Sequence, residues 1–140
     1  MGATTGMNNQ SFPNFGSTGN TPAISTTEFQ ALVEMVGADM PEVLVDLLDT
    51  YLEESLGLVN AITEGAEAGD LTSVLRPAHS LKSSSASIGA MQLSKLCADL
   101  EAYLRGSLPG LDVLSQVQQI ESEFARVQLA LHAEKAKLSL

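Results

Sequence analysis

Val113, Val117, Ile120, Phe124, Val127 and Leu131 follow one another at intervals of 4, 3, 4, 3 and 4 residues. Alternating threes and fours hold side chains on one face of an α-helix, and that regularity is the seam by which a helix joins a bundle. A strand, with its period of two, has no use for it. The spacing predicts a helix over about Leu111–Lys137.

The chain upstream repeats the pattern. Leu44, Leu47, Leu48, Tyr51, Leu52, Val59 and Ile62 recur at helical spacing, after a start at Asp39 or Met40 with Pro41 in the first turn. Gly57 interrupts this helix, and Gly65 and Gly69 are expected to end it. Asp70 is a candidate cap for a third helix from Leu71 to about Ile88, with Leu71, Val74, Ala78, Leu81, Ser85 and Ile88 on one stripe. A fourth, about Met91–Arg105, carries Leu93, Leu96, Leu100 and Leu104, and Gly106, Pro109 and Gly110 make the loop after it. A short helix over Thr26–Val36, capped by Ser25 or Thr26 and stopped by Gly37, precedes them all. The expected fold is therefore all-α: an antiparallel four-helix bundle with a short N-terminal covering helix. Residues 1–24 are rich in Gly, Asn, Ser and Thr and have no periodicity, so they are read as a disordered tail or linker and 25–140 as the bundle domain. Docking of Phe12 and Phe15 is a secondary reading of that tail.

Composition narrows the function. A net charge of −10 opposes binding to nucleic acid or to anionic membrane surfaces, both of which need clustered cations. Cys97 stands alone, which removes a disulfide framework and leaves a small buried apolar residue as its usual role, beside a reactive thiol. No apolar run approaches the roughly 20 residues of a membrane span. The N-terminus lacks a signal-peptide pattern, so the cytoplasm is the expected compartment.

The third helix also presents chemistry. At about 100° per residue, His79 lies roughly 130° from the apolar stripe, among Thr72, Leu75, Arg76, Lys82, Ser83 and Ala86. His79 is thus expected to be reachable, with Lys82 one turn on and small residues beside it. The hydroxyls of Ser83 and Ser84 are placed to bond to the carbonyls of the preceding turn or to a ligand, and a small Ser85 on the stripe permits close helix contact. Pro77 removes one helical hydrogen bond and is expected to kink the helix near Ser73. Neutral imidazole is a nucleophile near pH 7, and a nitrogen that attacks phosphorus needs its partner nitrogen held by an acceptor and a cation near the phosphoryl oxygens. His79 and Lys82 supply the nucleophile and the cation; an ordinary exposed His–Lys pair is the alternative. His132 has no comparable neighbours and reads as an ordinary exposed histidine.

The stretch His79–Glu101, HSLKSSSASIGAMQLSKLCADLE, closely resembles the signature of the histidine-containing phosphotransfer (HPt) domain of two-component phosphorelays. His79, Leu81, Lys82, Ser84, Gly89, Ala90, Leu93, Cys97, Leu100 and Glu101 carry the match. The family fold, a four-helix bundle with a short covering helix, agrees with the periodicities. The resemblance implies that His79 is the phosphoacceptor and that Lys82 contacts the phosphoryl group or the partner. Glu101 falls where the family carries Gln or Glu beside the imidazole; a solvated helix charge is the other reading. Ser83 departs from the commoner Gly. The implied function is relay, from the phosphoaspartate of one receiver domain to His79 and on to another receiver. The receiver would supply the acidic pocket and Mg²⁺, and the chain no cofactor of its own. A hybrid sensor histidine kinase is a further candidate partner, and a monomer is expected. Two other readings stand beside relay: the phosphoacceptor domain of a chemotaxis-type kinase, and a helical interaction module without phosphotransfer. A metal site in the bundle lacks its Glu-x-x-His pairs. A docking receiver would meet Leu75, Arg76, Ser83 and Ala86, with Phe29 and Val33 extending the patch unless they cap the core.

Overall fold

The computed structural model describes residues 21–37 and 39–138; the tail reading of residues 1–20, with Phe12 and Phe15, lies outside them. Among the described residues the chain forms α1 (Thr26–Val36), α2 (Pro41–Glu67), α3 (Thr72–Ile88), α4 (Met91–Leu104) and α5 (Val113–Leu138), and no strand. The expected bundle is present. Ion pairing of Lys135 with Asp49 and a 2.7 Å hydrogen bond from Thr63 to Glu121 show α2 and α5 running in opposite directions. Gln116, itself buried, donates to the Leu96 carbonyl at 2.9 Å and ties α5 to α4.

The core is built from the periodic residues. Leu48, Ile62, Leu81, Leu93, Leu100, Ile120 and Leu131 are fully buried, each worth roughly 1.5–3 kcal/mol of transfer free energy. Two expectations on α2 and α3 change. Gly65 does not end α2: it is buried inside the helix, and a Cβ there would stand 2.6 Å from Ser73 Oγ and 2.8 Å from Val74 Cγ2. Glycine at this position lets α3 approach α2, while the chain turns at Gly69 with φ 71°. Asp70 acts through its backbone carbonyl, which accepts from the Ser73 amide and hydroxyl, and its side chain caps nothing. Leu71 precedes the first turn of α3 and is 37 % exposed, so the core stripe begins at Val74.

The covering helix is fastened at the α3–α4 turn. Gly89 adopts φ 92°, and a Cβ on it would meet the Phe29 amide at 3.2 Å and the Ser25 carbonyl at 3.3 Å. The Ser25 amide donates to the Gly89 carbonyl at 2.7 Å. The Ser25 hydroxyl bonds to Glu28 and not to the helix backbone. Residues just before α1 pack on the bundle: Ala23 is buried, Ile24 packs against the core, and Arg126 donates to the Thr21 carbonyl. The apolar character of Ala23 and Ile24 drives this burial.

Candidate functional site

Two helices assemble the site. On α3, His79 and Lys82 stand one turn apart on the face away from the core. The tight Gly89–Ala90 turn then returns α4 alongside, and the Ser94 hydroxyl clips it to α3 by donating to the Lys82 carbonyl at 2.8 Å. This return brings Glu101 beside residues about 20 positions earlier.

Glu101 is only 6 % exposed and so is no solvated helix charge. Its Oε2 lies 2.8 Å from His79 Nδ1, and its Oε1 lies 2.7 Å from Lys82 Nζ. Arg105, one turn further on α4, places Nε and Nη2 each 3.0 Å from Oε2. These donors hold the Glu101 carboxyl down at about 2, the Lys82 hydrogen bond contributing most, with burial opposing and His79 and Arg105 adding to the effect. An ionised carboxylate only accepts hydrogen bonds, so His79 Nδ1 must carry the proton that joins them. In the neutral ring the free lone pair is then on Nε2, on a side chain that is 53 % exposed.

The serines divide the labour. Ser85 faces the core and shares a 2.8 Å hydrogen bond with the Tyr51 hydroxyl on α2. Ser84 donates to the Leu81 carbonyl at 3.4 Å and Ser87 to the Ser83 carbonyl at 3.1 Å, each satisfied within its own helix. Ser83 is exposed and Ala86 half-buried, and neither is large enough to screen the imidazole. Arg76 is exposed and Leu75 half-buried on the same helix. Pro77 lies inside α3, which continues through it to Ile88.

Phe29 and Val33 do not join this group. Phe29 is buried in the core, and both line a recess with Leu44, Ala130 and Leu138, between α1, α2 and α5. The amphipathic period of α1 turns them inward, so they cap the core. Other α1 residues, Leu32, Met35 and Val36, line a groove of about 630 Å³ with Leu47 and Leu58 of α2 and Ser80 and Ser84 of α3. Met35 is largely exposed there.

Arg105 was not singled out from the sequence; its position four residues after Glu101 is the signal that could have found it. Cys97 is fully buried, and burial pushes its thiol up to about 12, which suits packing and not reactivity. Among the described residues no group of three or more His, Cys, Asp or Glu could hold a metal ion, and no helix is long and apolar enough to cross a membrane.

A buried carboxylate that orients an exposed histidine on a helical bundle defines a class of protein, and comparison with known families agrees. The family model of the Hpt domain matches residues 46–134. The chain belongs to the Hpt family, whose function is histidine phosphotransfer in phosphorelays. Among solved structures it is similar to the histidine-containing phosphotransfer protein B (HptB) of Pseudomonas aeruginosa PAO1, at 26 % identity and a TM-score of 0.72, over 84 % of this chain and 97 % of that one. Comparison with curated proteins gives no match. Membership of the family implies interaction with the receiver or kinase components of a phosphorelay.

Proposed function

We propose that His79 is the phosphoacceptor of this domain, that it is charged by the phosphoaspartate of a receiver domain, and that it passes the group to a second receiver. The observation that carries this reading is the 2.8 Å contact between His79 Nδ1 and the buried Glu101, which leaves Nε2 as the exposed nucleophile. In the forward step the Nε2 lone pair attacks phosphorus; the N–P bond forms as the bond from phosphorus to the aspartyl oxygen breaks, and the carboxylate of the receiver leaves. The proton stays on Nδ1, and the imidazolium charge that develops is offset by Glu101. Lys82, one turn away, offers its ammonium to the phosphoryl oxygens. Return of the group to a second aspartate reverses each bond change.

The receiver brings Mg²⁺ in its acidic pocket and this chain contributes no cofactor. It works as a monomer in the cytoplasm and docks its receivers over the exposed face of α3, around Leu75, Arg76, Ser83 and Ala86. The net charge of −10 supports protein partners over nucleic acid or anionic lipid. The test is transfer of labelled phosphoryl from a phosphorylated receiver. Wild-type protein takes up acid-labile label and His79→Gln takes up none while keeping its helical circular dichroism. Label on the His79→Gln protein would exclude this histidine as the acceptor.

A further inference from the structure

Glu101 holds two cations where one would neutralise it. Lys82 takes Oε1 at 2.7 Å, and Arg105 takes Oε2 through two nitrogens at 3.0 Å. The two cations differ in placement. Lys82 comes from α3, on the same face as the imidazole, at the end of a flexible stem that is one-third exposed. Arg105 comes from the same helix as Glu101, four residues on, so helix geometry keeps its fork against that carboxylate. A phosphoryl group on Nε2 brings about two negative charges to the edge of this cluster. The ammonium of Lys82 has three rotatable donors and can turn to meet it. If Lys82 were the only other cation, that turn would leave a carboxylate that is 6 % exposed with the His79 ring alone as its partner, at a cost in desolvation.

We propose that Arg105 is a positioning residue for phosphotransfer: it holds Glu101 on His79 Nδ1 and compensates its charge while Lys82 exchanges Glu101 for the incoming phosphoryl group. The inference rests on His79 being the phosphoacceptor. Arg105 makes and breaks no covalent bond and moves no proton; the N–P bond forms and the donor bond breaks as described above. What Arg105 supplies is the freedom of Lys82 to leave. It follows that Lys82 and Arg105 act as one unit. Without Arg105, Lys82 must stay on Glu101, and its contribution to the phosphoryl group is lost along with it.

Two measurements on Lys82→Ala, Arg105→Ala and the double variant test this, with Lys82→Gln and Arg105→Gln as replacements if an alanine variant loses its helical signal. The first follows the Glu101 side-chain carboxyl by NMR against pH and needs no phosphotransfer. In Lys82→Ala the carboxyl is expected to stay ionised below the ordinary glutamate value of 4.5, and in the double variant to rise above it. The second follows phosphorylation of His79 by phosphoramidate, whose P–N bond breaks with loss of ammonia, using phosphorus NMR. Each single variant is expected to slow acceptance roughly tenfold and the double variant by little more, since the two residues act as a unit. Arg105→Lys should recover most of the rate and Arg105→Gln little. Multiplying losses, or a Glu101 that already titrates at its ordinary value in Lys82→Ala, would overturn the exchange while leaving His79 as the acceptor. A wild-type protein in which His79 takes no label would overturn the phosphotransfer reading and the exchange together.

Discussion

Glu101 and Glu123 are both buried glutamates on the bundle, and they titrate in opposite directions. Glu101 accepts from Lys82, His79 and Arg105 and is pulled down to about 2. Glu123, 2 % exposed on α5, has Arg126 at 2.8 Å on Oε1, and its Oε2 has no hydrogen-bond partner. Burial therefore dominates and pushes its carboxyl up. Burial costs a carboxylate the same kind of desolvation in both places. The donors that meet it, set against that cost, decide which way the carboxyl is shifted. At Glu101, which faces the His79 imidazole, donors converge from two helices. At Glu123 the single cation also reaches out to the Thr21 carbonyl and serves to fasten the segment that precedes α1.

The largest difference should appear in transfer. Glu101→Ala is expected to slow phosphoryl acceptance by His79 about a hundredfold, through loss of the acceptor that orients the ring and offsets its charge. Glu123→Ala should leave the rate within a factor of about two, because nothing connects it to the histidine. Stopped-flow transfer from a phosphorylated receiver measures both, and equal losses would erase the distinction between the two carboxylates.

Stability should separate them next. Arg126→Ala leaves Glu123 buried without its cation and is expected to cost about 1–3 kcal/mol in urea unfolding. Glu123→Gln, which removes the charge and keeps the shape, should lie within about 1 kcal/mol of the parent protein. A Glu123→Gln protein much less stable than the parent would mean that the Arg126 pair is a net stabiliser after all.

The pH dependence carries the same contrast in its sign. The folded-state value of Glu101 is depressed, so its contribution is full above the unfolded value of 4.5 and is lost as pH falls from there through about 2. The folded-state value of Glu123 is raised, so it favours the fold when protonated, and that contribution is lost as pH rises through 4.5 towards its folded value. Denaturant unfolding across this range should show a shallower acid loss for Glu101→Gln and less decline above 4.5 for Glu123→Gln. Parallel curves for the two variants would contradict opposite shifts.

The smallest effect concerns the fastening role of Arg126. A chain that begins at residue 25 loses the Thr21 carbonyl contact and the buried Ala23 that a chain beginning at residue 21 retains. The shorter chain should melt lower by roughly 3–6 °C, corresponding to about 1 kcal/mol. Coincident melting curves would show that these four residues add nothing to the bundle.

Much of this molecule is legible along the chain because helix formation and helix burial are periodic. The intervals of Val113 to Leu131 specify a face, and α5 buries Val117, Ile120, Phe124, Val127 and Leu131 along it. The Thr26–Val36 helix ends where Gly37 removes the penalty for leaving it. His79 is recognisable as exposed because it lies off the stripe of its own helix, a purely local property. Other features depend on which segments the fold brings together. Phe29 is inward because α1 lies across Gly89, and Gly65 is a contact because α3 crosses there. Helical period alone does not separate Glu101 from Glu123, since both are acidic residues on helices; only the resemblance of His79–Glu101 to a known signature singles Glu101 out. Only the return of α4 beside α3 gives Glu101 its Lys82 and His79, and only the placing of Thr21 against α5 draws on Arg126 beside Glu123. The sequence by itself determined where the helices run and which faces they bury, because those follow from a 3.6-residue period. Tertiary structure decided which way each buried carboxyl is shifted, because desolvation and its compensation depend on neighbours that are distant in the chain.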